Sequence, residues 1–206
     1  RDRLRSRGLG DVYKRQMHTP REEFVMTDSD WFNAAGIYRK NGFRIIMYTS
    51  ITNMGHRADW NNGTIQDAHP EWLQRGPGGE EVVAFGNRNL CPNTGALDAA
   101  IAYAKQLYEK YRVDALMFDN NFFQAPRNAA ETGGASCYCR ACRTKFRAYM
   151  LQNYRDQLEP VFGVTAQTVD IPVANGPLKN LWIDWRNRCW GEALEKVRAA
   201  VPVPVF

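Results

Sequence analysis

The sequence predicts an α/β fold with a parallel sheet, placed as an incomplete (β/α)8 TIM barrel covering about strands 2/3 to 5. Three observations carry this. Strand-like and helix-like segments alternate, the mark of βαβ units. The two clearest strands, Phe43-Arg-Ile-Ile-Met-Tyr48 and Val113-Asp-Ala-Leu-Met-Phe118, are short apolar runs, as in buried parallel strands. The elaborated segments follow strand carboxyl ends, where barrel enzymes place their loops and active site. A doubly wound sheet satisfies the first two observations; the third favours the barrel.

Taken in order, residues 23–27 read as the tail of a strand, and Asp28 or Ser29 as the N-cap of a helix to about Lys40, closed by Asn41-Gly42. After the strand at 43–48, residues 49–93 are rich in Gly, Asn, Pro and His, and are too long for an idle connection. Thr94 or Gly95 starts a helix whose face holds Ala99, Ile101, Ala102, Ala104, Leu107 and Tyr108. The strand at 113–118 ends in Asp119-Asn120-Asn121, and a second loop runs to Ser136. A helix over 140–154 shows Phe146, Tyr149, Met150 and Tyr154 on one side. After an irregular stretch to Pro177, a long helix from Leu178 to Ala200 carries Leu181, Trp182, Trp185, Trp190 and Leu194 as core residues. Val201-Pro-Val-Pro-Val-Phe206 reads as the entry into a further buried strand.

The first sixteen residues stand apart. Asp11-Val-Tyr-Lys-Arg-Gln16 back-translates to GAT GTG TAT AAG AGA CAG, a transposase mosaic end used in sequencing libraries, and the same frame continues upstream through adapter and index. Residues 1–16 are therefore expected to be translated adapter, to be set aside in fold reasoning. Residues 17–206 are expected to be a partial barrel domain, truncated at both ends. The adapter holds six Lys/Arg and two Asp/Glu, so it supplies +4 of the formal +5; the remaining 21 basic against 20 acidic residues are nearly neutral. The charge thus predicts neither a nucleic-acid nor a membrane partner. No run of 18 or more apolar residues is present. Localisation stays open, because the native N-terminus is expected to be missing.

Cys137-Tyr-Cys139-Arg-Ala-Cys142 packs three thiols into six residues, and Cys91 precedes the next strand on what would be the same rim. Four thiolates suit a structural Zn2+. A disulfide, free buried thiols or a redox pair are the alternatives. The fifth cysteine, Cys189, lies mid-helix and reads as a packed thiol.

Cys91-Pro-Asn, then a helix, a strand ending Asp-Asn, and Cys-X-Cys-X-X-Cys leading into Phe146-Arg-Ala-Tyr, resembles the family 42 β-galactosidases over roughly residues 90–156. That resemblance implies a (β/α)8 barrel with zinc on Cys91, Cys137, Cys139 and Cys142. It also implies an acid/base Glu after Asp-Asn, where this sequence has Asn121. An amide cannot transfer that proton. A second motif, Gly42-Phe-Arg-Ile-Ile-Met-Tyr48, a loop with His69-Pro-Glu-Trp72, then Val-Asp-Ala-Leu-Met-Phe-Asp119, resembles α-L-fucosidases and related hypothetical glycosyl hydrolases. By that resemblance Asp119 is the catalytic nucleophile.

Glycosidic chemistry needs a second carboxylate. Glu71 and Asp59 are the candidates within the chain, each also readable as a solvated loop acid, and the acid/base is expected beyond Phe206, leaving this piece inactive. Expected substrate contacts are Tyr48, Asn120, Asn121, His69, Trp60 and Trp72. Trp60, Trp72, Phe122 and Phe123 either stack on sugar rings or pack loops onto the sheet, and His56 and His69 either bind hydroxyls or satisfy carbonyls. The leading expectation is an O-glycosidase acting on a carbohydrate, of β-galactosidase or α-fucosidase type, with an oligomer possible in the full-length protein. A non-catalytic carbohydrate-binding or structural barrel of the same descent is the rival, and a zinc-dependent interaction module the third reading. An isolated piece of a parallel sheet is expected to be poorly soluble, since its edges are unpaired.

Overall fold

The computed structural model describes residues 27–52, 65–84, 87–125 and 135–206, together with the backbone of 13–18. Helix α1 (Asp28–Lys40) leads into β2 (Phe43–Thr49); helix α3 (Ala96–Tyr111) leads into β5 (Ala115–Phe118); α4 (Arg140–Asn153), the short α5 (Leu158–Phe162) and the long α6 (Pro177–Ala200) follow. Between β2 and α3 lie a single helical turn α2 (Ile65–Ala68), a 3-10 turn at Pro70–Trp72 and a two-stranded antiparallel ribbon of β3 (Val83–Ala84) and β4 (Asn87–Arg88). The main sheet is parallel, in the order β1-β2-β5, where β1 is Tyr13–His18. Val205 bridges Leu116 in parallel on the far side of β5, so the predicted terminal strand entry is present. The described residues do not close a barrel.

Four of the six β1 residues belong to the stretch that back-translates to adapter. They pair in register with β2, Tyr13 opposite Phe43 through His18 opposite Tyr48. An uncovered parallel edge offers a row of N–H and C=O groups that any extended chain can satisfy, whatever its origin. The strand tail expected over 23–27 lies outside the described residues except for Thr27, which caps α1 instead.

The cap is Thr27, one residue before Asp28 and two before Ser29. Thr27 accepts from the Asp30 amide at 3.2 Å, and the Asp30 carboxylate accepts from the Thr27 N–H at 3.0 Å, a reciprocal capping box. Trp31 and Ala35 of α1 are fully buried beside Ile45 and Met47 of β2. On α3 the buried stripe is Ala96, Ala100, Ala104, Leu107 and Tyr111, with Leu97 beside it. The expected face was right at Ala104 and Leu107 but rotated elsewhere, because a helix this rich in alanine has apolar residues on several sides. In α6, Trp182, Trp185, Cys189, Trp190, Ala193 and Val197 are buried, as expected of core packing. Trp185 meets Phe146 of α4 with centroids 5.3 Å apart.

The sheet is unevenly covered. Ile45, Met47 and Thr49, with their neighbours Leu116 and Phe118, are buried; Ile46, Tyr48 and Met117, on the opposite face, are only half-buried. Parallel strands normally bury both faces. At its amino end the β2–β5 ladder is extended by a side chain: the Asp114 carboxylate accepts from the Ile45 amide at 2.7 Å, and the Asp114 amide donates to the Ile45 carbonyl at 2.9 Å. The start of α1 is tied to the end of α3 by Asp28, which pairs with Lys110 at 2.5 Å and accepts from the Tyr111 hydroxyl at 2.7 Å.

The Lys110 ammonium and the Tyr111 hydroxyl hold the Asp28 carboxyl below its ordinary value of 3.8. A depressed carboxyl stabilises the fold above its unfolded value and loses that contribution as pH falls through the folded one. Asp28 is 46% exposed, so screening leaves the pair about 0.5 kcal/mol. Urea melts from pH 7 downward are expected to show Asp28→Asn less stable by about that amount at pH 7, with the difference shrinking as the pH falls below 3.8.

Candidate functional site

Two groups of side chains stand at the carboxyl end of the sheet. The first is built on β2 and β5. Tyr48 and Met117 are register partners on the half-covered face, and alternation brings Asp119, just past β5, to the same side. The Tyr48 hydroxyl donates to Asp119 Oδ2. Asp119 Oδ1 accepts from the Asn120 amide at 2.7 Å, and Asn120 Nδ2 lies 3.3 Å from Asp119 Oδ2. The Asp119 backbone amide still belongs to the ladder, donating to the Thr49 carbonyl at 2.9 Å. Asn120 then turns the chain with a left-handed φ of 58°, a conformation asparagine tolerates better than most residues. Three predicted residues, Tyr48, Asp119 and Asn120, are thus brought together around one carboxylate.

Asn121 turns back instead. Its Nδ2 donates to the Phe118 carbonyl, and its Oδ1 is buried without a partner among the described residues. Phe123 is buried against Trp190, with the Arg186 guanidinium 5.2 Å from its ring centre, so it packs its loop onto α6. Phe122 is 49% exposed. Trp60, Asp59 and His56 lie outside the described residues.

His69 and Trp72 form a separate pair with their rings stacked 3.7 Å apart, so one face of the indole is already covered. His69 Nδ1 lies 3.1 Å from Glu71 Oε1. The Glu71 backbone amide and His69 hold the Glu71 carboxyl below the usual range, and its side chain is 63% exposed. It is a solvated loop acid that stays ionised, unlike a general acid tuned toward neutral pH.

The second group is the sulfur cluster. Cys91, Cys137, Cys139 and Cys142 are all buried, and their sulfurs lie within 4.8 Å of one another. Cys91 Sγ is 3.4 Å from Cys142 Sγ and 3.7 Å from Cys139 Sγ. None of the four is in a disulfide. Four sulfurs around one ion at a Zn–S distance of about 2.3 Å would sit about 3.8 Å apart. The donors around them are those a thiolate uses. The Arg75 amide donates to Cys137 Sγ at 3.3 Å and the Cys139 amide at 3.4 Å, while the Cys142 amide donates to Cys139 Sγ at 3.5 Å. Cys139 is also the N-cap of α4, where the helix end favours negative charge. Hydrogen bonds from Cys137 and Cys142 pull Cys139 far down, whereas burial pushes Cys91 up. Cys189 is buried mid-helix and outside the cluster, as expected.

Sequence reasoning missed Gln74, which joins the two groups. It is fully buried; its Nε2 donates to the Leu90 carbonyl at 3.0 Å, and its Oε1 accepts from the Gln124 amide at 3.0 Å and the Ser136 hydroxyl at 3.2 Å. One amide therefore pins the segment entering Cys91, the loop after Asp119 and the segment entering Cys137. A glutamine in a polar loop carries no periodic signal, so its spacing gave no warning.

In fold the chain is glycoside hydrolase-like: it is similar to a β-galactosidase from Rahnella sp. R3, at 19% identity and a TM-score of 0.58, over 92% of this chain and 30% of that one. It is similar also to α-L-fucosidase isoenzyme 2 from Paenibacillus thiaminolyticus, at 19% identity and a TM-score of 0.51, over 86% of this chain and 22% of that one. The chain therefore spans less than a third of the length of either enzyme, and at that identity the likeness is one of fold. No protein-family model matches the chain, and no curated protein sequence does.

Trp72 also supports the sulfur site from outside. Its carbonyl accepts from the Cys91 amide at 2.8 Å, and a Cβ added at Gly95 would meet its indole at 2.5 Å. Gly95→Ala is expected to displace that ring and to cost about 1–3 kcal/mol in a denaturant melt, the usual scale for overpacking. An unchanged midpoint would show that the indole has room to move.

Proposed function

We propose that this chain is part of a (β/α)8-barrel glycoside hydrolase, with Asp119 as its nucleophile, a carbohydrate as its substrate, and a structural zinc ion on Cys91, Cys137, Cys139 and Cys142. Residues 1–16 are taken as adapter sequence, outside the functional domain. The observation that carries the reading is the Tyr48–Asp119–Asn120 cluster on the half-covered face, at the carboxyl end of parallel strands. In barrel enzymes that face is the interior and that end carries the chemistry.

The geometry suits a nucleophile. The Tyr48 hydroxyl and the Asn120 amides orient the carboxylate. In a retaining reaction Asp119 would attack the anomeric carbon as the leaving oxygen takes a proton from a second carboxyl group about 5–5.5 Å away. Tyr48 and Asn120, already on the carboxylate, would then be close to the sugar hydroxyls. Glu71 is engaged with His69 and Glu81 with Arg75, so neither supplies that proton. The rival, a carbohydrate-binding barrel without catalysis, is favoured by Asn121, whose amide is committed to the Phe118 carbonyl where an acid/base is required.

The donor set fits zinc: four soft, buried thiols with sulfurs within 4.8 Å of one another and N–H donors around them. With every position filled by protein, such an ion would hold loops together and would not activate water. Metal analysis of the purified chain is expected to give one zinc per chain. Cys137→Ser/Cys139→Ser is expected to lose it and to melt at least about 10 °C lower, since structural zinc contributes several kcal/mol.

Titration with galactose- and fucose-configured iminosugars, followed by tryptophan fluorescence, tests the sugar site. Binding that disappears in Asp119→Ala supports it. Equal binding by parent and variant removes Asp119 from the site, and no binding by any sugar of either configuration overturns the reading.

A further inference from the structure

Asn93 stands two residues after Cys91 and faces the sulfur cluster with its side chain. Its Nδ2 lies 3.3 Å from Cys142 Sγ, and its Oδ1 accepts from Lys145 Nζ at 3.3 Å. Lysine offers only donors, so its ammonium on Oδ1 fixes which end of the amide turns to sulfur. Cys142 and Lys145 are three residues apart on α4, hence on one face of the helix, and Asn93 reaches across to both. The other two sulfurs of the tight motif are served by backbone: Cys137 by the Arg75 and Cys139 amides, Cys139 by the Cys142 amide. Cys142 is the one whose N–H donor comes from a side chain.

We propose that Asn93, held by Lys145, is an outer-shell positioning residue for a metal-bound Cys142 thiolate. A divalent ion on four thiolates carries a net charge of −2, and burying that charge is costly unless donors and cations surround it. The Asn93 N–H draws electron density from Sγ and fixes its direction. Lys145 adds a positive charge at the solvent edge and keeps the amide from flipping. This role rests on the metal reading above, and the experiment separates the two.

The full chain is loaded with zinc or cobalt(II), and zinc affinity is measured by competition with a chromophoric chelator. Asn93→Ala is expected to bind zinc at least about tenfold more weakly, the usual loss for an outer-shell partner. The sulfur-to-cobalt charge-transfer band should shift with it, which a purely structural role would not move. Lys145 is exposed, so Lys145→Met leaves packing intact. It is expected to give part of the affinity loss and the same direction of shift, and Lys145→Arg to restore both. If the parent loads metal while Asn93→Ala and Lys145→Met match its affinity and spectrum, the outer-shell role is wrong. A parent chain that takes up neither metal removes the metal reading itself, and Asn93's role with it.

Discussion

Everything at the carboxyl end of this sheet depends on four thiols being buried in one place. Cys91 arrives from the long segment after β2, and Cys137, Cys139 and Cys142 from the segment after β5 and the first turn of α4. Sulfurs this close cannot all be charged unless something cationic lies among them. The fold has prepared for charge nonetheless: backbone amides aim at Cys137 and Cys139, and Cys139 occupies the N-cap of α4. A cluster meant only to fill space would have no use for these donors. A metal ion held there, as proposed above, would cross-link those two segments.

Such a cross-link would matter because the segments it joins are those that frame Asp119. Gln74 carries the connection. Its backbone pairs with Asn89 and Val82 within the segment stitched by β3 and β4, and its side-chain oxygen takes hydrogen bonds from Gln124 and Ser136. Gln124 lies five positions after Asp119, and Ser136 directly precedes Cys137. Arg186, placed 4.9 Å from the Trp182 ring centre and 5.2 Å from that of Phe123, holds the same loop down from α6. A carboxylate at a strand end is only as well placed as the chain leaving it, and here that chain is fixed from two directions.

Much of the frame was legible in the sequence, and the reasons are local. The runs at 43–48 and 113–118 are apolar enough to be nothing but buried strands, and the tryptophans of α6 recur at helical spacing. Cys137, Cys139 and Cys142 announce a cluster by proximity. Cys91 was drawn in by its place before the strand, on the rim where the other three follow it, and the family resemblance pointed to the same four. What stayed hidden depended on tertiary contact. The ribbon of β3 and β4 has two residues a strand, too few for a period to show. The buried face of α3 is blurred by its alanines. Thr27 outcompetes Asp28 and Ser29 as cap because Asp30 sits at the third position to complete the box. Gln74 and Asn93 look like ordinary loop amides until their partners are seen.

The uneven cover of the sheet links fold to function. On the helix side, Ile45, Met47, Leu116 and Phe118 are sealed, and the face holding Ile46, Tyr48 and Met117 is not. In an ordinary two-layer domain that second face would be polar and solvated; here it is apolar along the strands and turns polar only at the end, where Tyr48 meets Asp119. An apolar strand surface needs something to bury it. Further strands curling round to close a barrel would do so, and would leave Asp119 as one of the polar groups at the mouth of that interior. The same alternation that buries Phe118 under the helices thus turns the Asp119 carboxylate to the half-covered face, where the proposed sugar site would lie.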